Sequence, residues 1–113
     1  MSALRFIGPA LLALAALVGA AQAAAPDSAE CKRDLMVADS LMRQSRERLL
    51  NAASAPLATQ CPVWRQHVEA ARKANAIQGR CQTGMGKSVI QAELVNTATE
   101  FEAQIKARCK GGL

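Results

Sequence analysis

The chain has no tyrosine, one tryptophan, one histidine and two phenylalanines in 113 residues. So few aromatics leave nothing to interleave with basic residues as a stacking platform, so nucleic acid is not an expected partner. A single histidine gives no His-rich metal set and no second imidazole for a haem or metal site. No C-x-x-C or C-x-x-C-H occurs, and the cysteines are separated by 30, 20 and 28 positions, which excludes a clustered zinc site and argues against an exchange catalyst. No nucleophile elbow or thiol–histidine signature is present, and the lone His67 leaves little to serve as a base. The reading is therefore of a protein that is not an enzyme and has no cofactor. Gly84-Met85-Gly86-Lys87-Ser88 is like a fragment of a phosphate-binding loop. The full pattern needs a glycine where Cys81 stands, and no strand precedes it, so the segment reads as a turn. Strand-like alternation, internal repeats and a second domain are also missing.

What the sequence does contain begins with an apolar stretch from Ile7 to about Ala21, preceded by Arg5 and followed by the small-x-small triplet Ala21-Gln22-Ala23. Residues 1–23 read as a cleaved secretory signal peptide. The run is short for a membrane span and carries Gly8 and Pro9, so membrane contact is expected only before cleavage. Residues 24–113 then form a single domain in the periplasm or secreted. Loss of Arg5 leaves thirteen Lys and Arg against nine Asp and Glu, a basic product. Its apolar positions are rich in alanine, which makes a marginal core for a chain of this size. All four cysteines fall in this part, an even number in an oxidising compartment, and they read as a disulfide framework.

Three segments have helical periodicity, at approximately 28–53, 60–79 and 88–109. In the first, Cys31, Leu35, Ala38, Met42, Ser45, Leu49 and Ala52 make one stripe, with Asp27 or Ser28 as the cap. In the second, Trp64, His67, Val68, Ala71 and Ala74 share a side, Pro62 suits the first turn, Glu69 and Lys73 are spaced for an ion pair, and Gly79 is a natural stop. In the third, Ser88 and Gln91 form a capping box ahead of Ile90, Leu94, Phe101 and Ile105. The fold class is all-α, an up-down-up three-helix bundle.

That topology selects the disulfides. Cys61 and Cys81 lie at opposite ends of one helix, roughly 30 Å apart at 1.5 Å per residue. A bridge needs Cα atoms within about 7 Å, so they cannot pair. Cys31–Cys61 and Cys81–Cys109 fail as bottom against top. Cys31–Cys81 and Cys61–Cys109 remain.

In the same arrangement Arg46, Arg48, Arg65, Lys106, Arg108 and Lys110 gather at one pole. Part of this is the ordinary preference of basic residues for helix C-termini. The functional expectation is a basic pole for an acidic protein partner in the cell envelope, as in an inhibitor or immunity protein. Two alternatives stand beside it: a carrier of a small apolar ligand between alanine-rich helices, and a structural envelope component without a ligand. His67 reads as a packed histidine with a hydrogen-bond partner, and Trp64 as a core side chain.

Overall fold

The computed structural model describes residues 25–112. The expected signal peptide, 1–23, lies outside them. Three helices follow in order: α1 (Ala29–Asn51), α2 (Leu57–Cys81) and α3 (Met85–Arg108). Among the described residues there is no strand, and no helix is long and apolar enough to cross a membrane.

Local chemistry sets each helix start. Ser28 is extended, with φ −66° and ψ 158°, and its Oγ accepts the Cys31 N–H at 3.1 Å. Ser28, not Asp27, is thus the cap of α1. The start of α2 lies three residues earlier than the periodicity predicts, because Pro56 at φ −62° presets the turn and Leu57 can enter directly. Pro62 consequently lies inside the helix, where the Ala58 carbonyl loses its usual N–H partner. The start of α3 is also earlier. Gly84, at φ 77° and ψ −169°, adopts an extended positive-φ conformation open essentially to glycine, from which Met85 enters the helix, and the Ser88–Gln91 capping box is not used.

Gly79 is not a stop, since α2 runs on to Cys81. A Cβ at Gly79 would meet Gln91 Nε2 at 2.9 Å, so its bare backbone makes room for the α3 side chain.

The architecture is a small disulfide-stapled three-helix bundle with α2 as its spine. α1 and α3 each pack against α2, while no Cα of α1 lies within 8 Å of α3. The core is built on small residues of α2, namely Ala70, Ala71 and Ala74, with Ala38 and Met42 from α1 and Ala98 and Ile105 from α3. Leu35, Leu94, Trp64 and Phe101 pack on its margin. The bridges are Cys31–Cys81, with Cα atoms 5.1 Å apart, and Cys61–Cys109, at 5.9 Å. Each end of α2 is thus tied to a different neighbour, as the helical rise requires. Two such bridges belong with an oxidising environment rather than the reducing cytosol.

Ion pairs add lateral ties. Arg80 reaches Asp34 of α1 at 3.2 Å, and Arg72 pairs with Glu102 of α3. The expected Glu69–Lys73 pair does not form within 4 Å. The pairs that do form are partly solvated and each contributes about 0–1 kcal/mol.

Candidate functional site

The C-terminal ends of α1 and α3 meet the first turns of α2 at one pole, and α2 supplies the groups that finish both neighbours. A helix ends with carbonyls that have no N–H to accept from. Gln60 Nε2 donates to Ala52 O at 3.2 Å and to Ala53 O at 2.9 Å, closing α1. Arg65 donates through Nη2 to Lys110 O at 3.1 Å and Gly112 O at 3.0 Å, closing the segment after α3. Cys61, which carries the bridge to Cys109, lies in sequence between Gln60 and Arg65.

The six cations expected at this pole divide by task. Arg65 is half-buried and occupied with those carbonyls. Arg108 is exposed and lies over the Trp64 ring, its guanidinium carbon 5.2 Å from the ring centroid, a cation–π contact. Arg46, Arg48, Lys106 and Lys110 are exposed. Among the described residues none of these four has a carboxylate within 4 Å.

Trp64 is not a fully buried core residue. It is half-buried and forms a wall of an open groove of ≈ 440 Å³ whose other sides come from Leu49, Val63, Phe101 and Arg108. A second hollow continues past Trp64 and Phe101 towards Glu100 and Gln104. A third lies between Leu57, Pro62, Arg65, Arg108 and Lys110. Arg108 borders all three.

His67 lies deeper, 3% exposed, at the centre of α2. Its Nδ1 shares a 2.6 Å hydrogen bond with Ser45 Oγ of α1, itself 1% exposed, and its ring meets Phe101 edge-to-face at 4.7 Å between centroids. Ser45 is a polar residue on an otherwise apolar stripe opposite the only histidine, which is the signal that could have paired them from sequence. Met42 is buried nearby in the core, whereas Met36 is 74% exposed. Among the described residues no group of three or more His, Cys, Asp and Glu is placed to hold a metal. A serine and histidine closed off from solvent in this way act as a cross-helix hydrogen bond.

Burial, with a smaller contribution from the Arg46 charge, holds the His67 pKa below its ordinary value of 6.5. The unfolded chain therefore takes up a proton near pH 6.5 that the folded chain resists. Stability is expected to be level above that pH and to fall as the pH drops below it, until the folded imidazole also protonates. Urea unfolding between pH 7.5 and 5 isolates this group, since His67 is the only histidine. Ser45→Ala should destabilise by about 1–3 kcal/mol by leaving a buried ring nitrogen unpaired. Ser45→Ala with His67→Leu should recover much of that loss and flatten the pH dependence. An unchanged pH slope in the double variant would refute the assignment.

Comparisons with protein families, with curated proteins and with solved structures give no match to this chain.

Proposed function

We propose that the protein is an exported, non-enzymatic binding module of the periplasm or extracellular space, inhibitor- or immunity-like, whose basic pole docks an acidic protein partner of the cell envelope. The observation that carries this reading is the set Arg46, Arg48, Lys106 and Lys110, exposed around one pole with no carboxylate of the described residues within 4 Å and only partly offset by Glu47. Helix dipoles account for cations in the last turns of α1 and α3. They do not account for Arg46, which lies before the last turn, or for an aromatic groove opening among the charges. A positive pole beside an apolar hollow suits protein recognition, where charge steers the encounter and buried apolar contact holds the complex.

The carrier alternative requires space between the helices. Ala38, Ala71 and Ala74 are at most 1% exposed in a packed core, and the hollows that do lie between α2 and α3 are open and have charged walls, Arg72 with Glu102 in one and Arg65, Glu69 and Arg72 in the other. Charged walls suit a small apolar ligand poorly, which favours the basic-pole reading over the carrier.

The test is affinity capture from envelope extract with the wild type and two charge-reversed variants. One carries Arg46→Glu, Arg48→Glu, Lys106→Glu and Lys110→Glu. The other reverses Lys32, Arg33, Lys73 and Lys87, away from the pole, and so changes the total charge by the same amount. A partner retained by the wild type and the control, and lost with the pole variant and with added salt, supports the reading. Equal capture by all three overturns it.

A further inference from the structure

Resting on that reading of the pole, we propose that the partner's contact segment carries an apolar side chain followed by carboxylates. The apolar side chain seats between Trp64 and Phe101, and the carboxylates lie on Arg108 and Lys110.

The groove has two chemical requirements at once. Leu49, Val63, Trp64 and Phe101 offer apolar walls, and the ≈ 440 Å³ they border with Arg108 has room for a leucine- or phenylalanine-sized group. A purely acidic segment would leave those walls in water. A purely apolar one would cover the Arg108 guanidinium without an anion, which is unfavourable. Among the described residues Arg108 has no carboxylate of its own within 4 Å, so its donors are free for one from outside. Its position over Trp64 also lowers the conformational freedom that binding must remove.

The direction of the segment follows from the flanking charges. On one side of Arg108 the hollow contains Glu100, which repels an anion. On the other it contains Arg65 and Lys110 and no acid. The carboxylates therefore run from Arg108 towards Lys110, and the apolar side chain enters from the opposite side.

Trp64 is the only tryptophan, so its emission reads the groove directly. The experiment titrates the purified disulfide-bonded protein with a blocked peptide of one leucine and three glutamates. Two comparison peptides replace the leucine by serine or the glutamates by glutamine. The leucine–glutamate peptide should shift Trp64 emission saturably at concentrations up to about 1 mM. Loss of the leucine should weaken binding about tenfold or more, as expected for a buried aliphatic group. Ala53→Phe, at an exposed position lining the groove, should weaken binding comparably while melting temperature and circular dichroism stay at wild-type values.

Equal, salt-sensitive binding of the serine peptide would overturn the groove assignment and leave the basic-pole reading standing. Equal binding of the glutamine peptide would overturn the carboxylate assignment and indicate a site for neutral apolar groups. No emission change with any peptide would overturn the inference, while the capture experiment reports separately on the pole.

Discussion

Cys31→Ser with Cys81→Ser, or Cys61→Ser with Cys109→Ser, is expected to remove about 2–4 kcal/mol of folding stability. Each bridge spans 50 or 48 positions of sequence, for which the chain-entropy description gives roughly 4 kcal/mol. The two closed loops overlap, so removing both costs less than twice that figure. A domain of this size commonly has only about 5–15 kcal/mol in all, and this one rests on an alanine-rich core. Loss of one bridge should leave a folded protein with a much lower melting temperature. Reduction of both should leave the chain largely unfolded at 37 °C. Thermal melts followed by far-ultraviolet circular dichroism, with and without reductant, measure this. A melting temperature indifferent to full reduction would show that packing alone sustains the fold.

Ile105→Ala is expected to have an effect of similar size, about 2–5 kcal/mol. Ile105 is wholly buried in a core whose other members include Val68, Ala70, Ala71, Ala74 and Ala98. Alanines have no side-chain torsion with which to move into a vacated volume, so the cavity persists and its cost is added to the lost transfer energy. Val95→Ala, on the same helix but 48% exposed, is the control and should change stability by less than about 1 kcal/mol. Denaturant unfolding of the two variants separates the cases. Comparable losses would mean that α3 does not depend on this one side chain.

The features legible from sequence are those carried by helical geometry. The stripe from Cys31 to Ala52 fixed the face of α1, and the 1.5 Å rise excluded every cysteine pairing except the observed one. The ends of the helices were less legible. Pro56 and Gly84 start α2 and α3 through backbone conformation, while Pro62, Gly79 and Ser88 resemble better-known punctuation and drew the boundaries inwards. The clasps made by Gln60 and Arg65 were not legible at all, because neither has a spacing rule with carbonyls 7 to 47 residues away. At the site, the grouping of basic residues at one pole is an expectation drawn from topology. Nothing in the sequence signalled that Arg65 and Arg108 have internal partners while the other four have no carboxylate within 4 Å among the described residues. Trp64 was expected in the core because of its size; it packs against the core from its margin, with one side on an open groove beneath Arg108.

The crossed connectivity of the bridges bears on how the molecule is made. Synthesis presents its cysteines in the order 31, 61, 81, 109, and the first two to emerge are not partners. An oxidant acting on the growing chain meets Cys31 and Cys61 before Cys81 exists. Any bond made at that stage is non-native and must be reopened by a thiolate before α2 can be fastened to α1. Maturation therefore calls for one of two conditions: oxidation delayed until the helices have paired, or a catalyst of disulfide exchange in the same compartment.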